Sequence, residues 1–250
     1  MTTLHTRRFV SRTELDAALA ERLGRAVAYE NGSGTAIMLA GGKTPLPAYR
    51  ELAARGPKHN NHLHVLFSDE RYVPASSDDS NYHQSCELLN ELALPEESLL
   101  RVRTELSLEQ AAADYERRLA ELLAKGVRVS LGLLGLGSDG HTASLFEESD
   151  LERARGHLAI AVERPDGLSG ITVTPEFLAH VKELVFVVAG GGKYDAIRAL
   201  MSADPSLIAW RAIQGRTDVE LWVEQAAMFS LMANARASIA DTHLAHHTEY

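Results

Sequence analysis

Five short apolar runs punctuate the chain, at residues 35–40 (TAIMLA), 63–67 (LHVLF), 129–134 (VSLGLL), 158–162 (LAIAV) and 184–189 (LVFVVA). A near-continuous apolar run of this length fits a strand buried on both faces, which requires helices above and below the sheet. Helical patterns supply them. In residues 12–30, Leu15, Leu19, Leu23 and Ala26 or Val27 recur at spacings of three and four, and further helical stretches lie at 45–54, 80–91, 107–125 and 193–201. The alternation predicts an α/β fold: a mostly parallel, Rossmann-like sheet with helices on both faces. In such sheets ligands bind beyond the carboxyl ends of the strands, so the chemistry belongs immediately after each apolar run.

A chain of 250 residues, 45% hydrophobic and 24% charged, is long enough for one large core. Without an internal repeat or a Pro/Gly/Ser-rich linker, it reads as one domain over 1–250 with a polar tail at about 241–250. The net charge of −9 opposes non-specific attraction to nucleic acid or anionic lipid, so neither is an expected partner and an anionic ligand has to be met locally. No stretch has the length and apolarity of a membrane span or a secretory leader, and the single cysteine, Cys86, suits a reducing cytoplasm. In that compartment the Asn31-Gly32-Ser33 sequon is silent.

The first run ends in Gly41-Gly42-Lys43-Thr44-Pro45. A nucleotide-binding P-loop needs a glycine where Ile37 stands, so that reading fails. Two alternatives remain: a plain strand-to-helix turn, or a glycine turn whose N–H groups, with the helix opening at Pro45, receive a phosphate. After the second run, Asp69, Glu70 and Arg71 occupy an active-site loop position. Arg71 can grip a phosphate or carboxylate with two hydrogen bonds, and a solvated, salt-bridged turn is the alternative. Ser80 and Asn81 read as the cap of the next helix, with Cys86, Leu88 and Leu89 on its apolar face.

The third run leads into GLGSDGHTASLF, residues 135–146. Residues 135–140 spell G-x-G-x-x-G, but mid-chain and without an apolar helix entry behind them, so no nicotinamide cofactor is expected. His141, beyond a glycine-rich turn with Asp139 two residues earlier, is a candidate general base. After 184–189, Gly190, Gly191, Gly192 and Lys193 form either a second anion contact or an ordinary helix entry. The histidines at 59, 62 and 64 and at 243, 246 and 247 match no metal-binding spacing, so no metal is assigned. There is no G-x-S-x-G nucleophile elbow.

Taken together, LAGGKTP, SDERYVP with SNY behind it, and GLGSDGHTASLF resemble the 6-phosphogluconolactonases, cytosolic esterases of the oxidative pentose phosphate pathway, over nearly the whole chain. The resemblance implies a fold shared with the glucosamine-6-phosphate deaminases, a small sugar-phosphate lactone as partner, no cofactor, and a monomer or small homo-oligomer. It implies that Gly41, Gly42, Lys43 and Thr44 hold the phosphate with Arg71 and Lys193, while His141 acts at the lactone. Asp139 or Asp69 would orient the imidazole, and the oxyanion would meet N–H groups of the 137–141 turn or Arg71. An imidazole with a reference pKa of about 6.5 suits removal of a proton from water near neutrality.

The chain departs from the lactonase pattern at Lys43, usually serine, at Glu147, usually proline, and at Leu207-Ile208-Ala209-Trp210-Arg211, where a Leu-Pro region is usual. The deaminases carry a glutamate where this chain has Phe146. Two alternatives are an amino-sugar-phosphate deaminase/isomerase, which that substitution disfavours, and a sugar-phosphate sensor without turnover.

Overall fold

The computed structural model describes residues 2–229, so the polar tail and His243, His246 and His247 lie outside the described residues. In chain order the elements are β1 (Thr3–Phe9), α1 (Arg12–Ala28), β2 (Thr35–Leu39), α2 (Leu46–Ala54), β3 (Leu63–Phe67), β4 (Asp69–Arg71), α3 (Asn81–Gln84), α4 (Cys86–Leu92), β5 (Leu99–Leu100) and α5 (Leu108–Ala124). They continue with β6 (Arg128–Leu134), α6 (Glu148–Arg153), β7 (Ala159–Glu163), β8 (Ser169–Val173), α7 (Pro175–Leu178), β9 (Glu183–Val188), α8 (Tyr194–Met201), α9 (Ile208–Ala212) and β10 (Asp218–Glu224).

Seven strands form one sheet in the order β1-β10-β9-β6-β2-β3-β5, and every neighbouring pair is parallel. Along β2 the side chains alternate between faces: Ile37 and Leu39 join Leu15, Leu19, Leu23, Tyr49 and Leu52 from α1 and α2. Ala36 and Met38 join Tyr115, Leu119, Phe186 and Ile197 on the opposite face. Each fully buried leucine of α1 contributes roughly 1.5–3 kcal/mol, so this face, more than intrinsic propensity, holds the helix. Ser11 caps α1, its Oγ accepting from the Glu14 N–H at 3.2 Å, and Ser107 with Gln110 forms a capping box on α5.

Three features differ from the sequence expectation. The apolar run 158–162 becomes β7 of a separate antiparallel sheet, β4-β8-β7, because the Pro165-Asp166-Gly167 turn folds it back on β8 as a hairpin. Asp69, Glu70 and Arg71 form a strand of that sheet, paired with β8, instead of a solvated loop, and Asp69 and Glu70 are buried. The helix expected over 80–91 breaks at Ser85 into α3 and α4.

The order also places the ligand crevice. From β2 the chain moves to β3 on one side, and β6 returns to the other, so loops diverge at the carboxyl ends of β2 and β6. Two fully buried tyrosines finish the strands beside this crevice. The Tyr49 hydroxyl accepts from the Ala40 N–H at 3.1 Å and donates to the Ala40 carbonyl at 2.9 Å. Tyr115 does the same for Phe67, at 3.1 and 2.5 Å. Burial raises both phenols, which keeps them protonated as donors. Tyr49→Phe and Tyr115→Phe each strand a buried donor and acceptor, and urea unfolding is expected to show a loss of about 1–3 kcal/mol for either.

Candidate active site

A cavity of about 180 Å³ opens at the crevice, and Gly41, Gly42, Lys43, Thr44, Asp69, Arg71, His141 and Lys193 all line it. The first wall is the turn after β2. A Cβ on Gly41 would lie 2.0 Å from Asn81 Oδ1, so only glycine lets the turn rest on that side chain, while Gly42 adopts φ +80°. Asn81 is in turn held by its Nδ2 donating to the Asp69 carbonyl at 2.8 Å. Buried Glu70 fastens the same corner by accepting from the N–H groups of Arg71, Asn81 and Tyr82 and from Ser80 Oγ. Burial pushes the Glu70 carboxyl up, against the pull of those N–H donors.

The second wall is the turn after β6. Asp139 Oδ1 lies 2.5 Å from His141 Nδ1. With the carboxylate accepting, Nδ1 carries the proton and Nε2 keeps its lone pair. Burial opposes ionisation of Asp139, but hydrogen bonding from His141, together with its charge once the imidazole is protonated, outweighs it and holds the carboxyl below its ordinary range. Gly137 makes the pairing possible, since a Cβ there would lie 2.1 Å from Nδ1 and 2.3 Å from Asp139 Oδ1. The Phe146 ring packs on the imidazole with centroids 4.5 Å apart. An apolar ring thus stands where the resemblance to the deaminases calls for a carboxylate.

Asp69, expected as an alternative partner of the imidazole, is engaged elsewhere: it accepts from Ser68 Oγ and Ser144 Oγ, both at 2.8 Å. The turn also has few donors to spare. The N–H groups of Gly137, Gly140 and His141 are directed to His141 O, Gly137 O and Asp139 Oδ1, so these three are not available to an oxyanion. The 207–211 segment braces this turn from outside: Ala209 N donates to Gly140 O at 2.9 Å, and a Cβ on Gly140 would lie 2.3 Å from Leu207 Cδ1.

Cations supply what the backbone withholds. Arg71 Nη1 donates to the Asp79 carbonyl at 2.8 Å, and its buried Nε has no hydrogen-bond partner among the described residues. Lys193, at the start of α8, reaches across to the Leu136 carbonyl. Burial pushes its ammonium below the ordinary lysine range, with the Asp139 charge pulling the other way.

Arg164, which the sequence reading passed over, also lines the cavity. Asp166 holds its Nη2 at 2.9 Å, Ser144 Oγ accepts from Nη1 at 2.7 Å, and its guanidinium sits 5.3 Å from the Phe146 ring centroid. The only signal for it was an arginine opening a Pro-Asp-Gly turn. Among the described residues, no group of three or more His, Cys, Asp or Glu is placed to share a metal ion, and no helix is long and apolar enough to cross a membrane.

A parallel α/β sheet with a cationic pocket at its strand-order reversal, and a carboxylate-bound imidazole on the wall, defines a protein built to receive a small anion beside a base. A family model described as glucosamine-6-phosphate isomerases/6-phosphogluconolactonase matches residues 10–222. The chain is 35% identical to a 6-phosphogluconolactonase of Synechocystis over 82% of this chain and 88% of that protein. It is 30% identical to one of Rattus norvegicus over 90% and 92%. The crystal structure of a 6-phosphogluconolactonase from Thermotoga maritima superposes with a TM-score of 0.77 at 28% identity, covering 89% of this chain and 100% of that one. A monomeric glucosamine-6-phosphate deaminase shares the fold, with a TM-score of 0.72 at 16% identity. The chain belongs to the glucosamine-6-phosphate isomerase/6-phosphogluconolactonase family.

The Lys193 shift has a measurable sign. An anion in the cavity favours the ammonium and raises its pKa again, so at a pH between the free and bound values binding takes up protons. Calorimetry with inorganic phosphate, stepped upward in pH toward the ordinary lysine range, is expected to show a fractional proton uptake that varies the heat with buffer, and Lys193→Gln is expected to remove it.

Proposed function

We propose that this chain hydrolyses 6-phospho-D-glucono-1,5-lactone to 6-phospho-D-gluconate, the reaction its relatives are named for. The observation that carries the reading is the Asp139 and His141 pair on the wall of a cavity lined by Lys43, Arg71, Arg164 and Lys193. The phosphate rests on the turn formed by Gly41, Gly42, Lys43 and Thr44, with Arg71 and Lys193 as counter-charges. This orients the lactone carbonyl toward His141.

His141 Nε2 takes a proton from water as the water oxygen attacks the carbonyl carbon. Asp139 keeps Nδ1 protonated and stabilises the imidazolium that forms. The carbonyl oxygen gathers negative charge, and Arg164 is the cation that meets it: Phe146 packs against both the imidazole and this guanidinium, which brings the two to one end of the cavity. Collapse breaks the bond to the ring oxygen, which leaves with the proton from His141, and the new carboxyl group releases its own proton to solvent. A cytoplasmic setting in the oxidative pentose phosphate pathway goes with this reaction and with the single thiol.

The test is hydrolysis of freshly generated lactone against its spontaneous rate. Wild type is expected to accelerate it, with kcat/KM falling about 10²- to 10⁴-fold in His141→Ala. Asp139→Asn is expected to lose about 10- to 100-fold, the worth of one charge-assisted hydrogen bond. Gly137→Ala, which drives a methyl into the pair, is expected to behave like Asp139→Asn. No acceleration by wild type overturns the reading, and turnover undiminished in His141→Ala removes the base from the mechanism.

A further inference from the structure

We infer that Arg12, outside the cavity, is a positioning residue for its phosphate end, acting through the backbone carbonyl of Thr44. The inference rests on the proposed lactone hydrolysis for its substrate. Arg12 opens α1, and its Nη2 donates to the Thr44 oxygen at 2.6 Å, spanning 32 positions of sequence. Its Nε lies 2.8 Å from both carboxylate oxygens of Asp16.

An ordinary helical i,i+4 pair is a solvated feature worth a few tenths of a kcal/mol. This pair is buried on its acidic side: Asp16 is only 8% exposed while the Arg12 side chain is 35% exposed, and, among the described residues, Arg12 is the sole hydrogen-bond partner of the Asp16 carboxylate. Burying a carboxylate is costly, and a guanidinium held against it loses its freedom to turn away. Asp16 therefore aims the remaining arm of Arg12 at one backbone oxygen.

That oxygen matters for two reasons. Thr44 lines the cavity, and Pro45 follows it, so the joining peptide has a carbonyl and no N–H. A carbonyl oxygen free to swing at this place brings partial negative charge toward a bound phosphate. Arg12 fixes the peptide and draws off its charge while remaining outside the cavity lining. Arg12 thus governs affinity for the phosphate and leaves the reacting centre at His141 untouched.

The experiment compares wild type with Arg12→Ala, Arg12→Lys and Asp16→Asn by steady-state kinetics on the phosphorylated lactone and by calorimetric binding of 6-phosphogluconate. Arg12→Ala is expected to raise KM and weaken 6-phosphogluconate binding by about tenfold, the size of one charge-assisted hydrogen bond, with kcat changed by less than about twofold. Lysine keeps the charge but cannot span both partners, so Arg12→Lys should recover part of the loss, and Asp16→Asn should fall between Arg12→Lys and Arg12→Ala.

Unchanged affinity, or a fall in kcat at constant KM, overturns the inference. If Arg12→Ala does not fold, by circular dichroism, the lysine and asparagine variants decide by the same criteria. Binding separates this inference from the activity: a wild type that binds 6-phosphogluconate without turning over the lactone refutes the proposed reaction, while the variants' affinities still decide the role of Arg12.

Discussion

Every strand of a parallel sheet ends in backbone groups with no neighbour to pair with, and at the carboxyl edge of this one those groups cannot all reach water. The solution is local and chemical. Tyr49 and Tyr115 close the ends of β2 and β3 with both hydroxyl functions. Beyond β6, Thr142 Oγ1 donates to the Gly135 carbonyl at 2.8 Å, and Glu70 gathers the donors that start α3. Because each is buried and satisfied, these bonds oppose movement of the loops that form the cavity wall. The reversal of strand order between β2 and β6 turns the same edge into a crevice.

A chain with a net charge of −9 presents Lys43, Arg71, Arg164 and Lys193 to one small cavity, and each carboxylate around it has an assigned task. Asp166 holds Arg164, Asp139 holds His141, Asp69 binds the hydroxyls of Ser68 and Ser144, and Asp16 holds Arg12. Pairing of this kind fixes long side chains before a ligand arrives, so less entropy is lost on binding. Asp69 accepts from two hydroxyls and lies 3.9 Å from Arg164 Nη1, and Lys193, depressed by burial, is a cation that an anionic ligand strengthens.

The sequence was readable where one physical signal dominated. Doubly buried strands announce themselves as apolar runs, which is why β2, β3, β6 and β9 were legible. The edge strand β1 was not: its threonines, histidine and arginines face water, and Arg7 reaches its aromatic neighbours Phe9 and Trp222 only in three dimensions, at 4.7 and 4.9 Å. The run at 158–162 misled because an apolar stretch does not state which sheet it joins, and the hairpin turn behind it decided the matter. From the motifs at 41–44 and 135–146 the fold brings Gly41, Gly42, Lys43, Thr44, Gly135, Gly137 and His141 to one cavity with Arg71 and Lys193, while Asp139 stands behind His141 and outside the cavity lining. Arg164 and Asp16 were not legible, because an arginine in a turn and an aspartate on a helix look like solvated charge until packing shows what they hold.

Phe146 shows how little of the function is written in the fold. The superposition with a deaminase extends over 89% of this chain, so the sheet, its reversal and its crevice serve two chemistries. Isomerising an amino sugar requires a carboxylate beside the sugar's carbons to move protons, whereas opening a lactone requires a water, a base and a place for the oxyanion. An aromatic ring 4.5 Å from the imidazole cannot move a proton, but it can wall off solvent on one side of the base and carry a guanidinium on its face. Excluding water there strengthens the attraction between Arg164 and a charge forming at the carbonyl. The same backbone can therefore carry an apolar wall at this position without having to change.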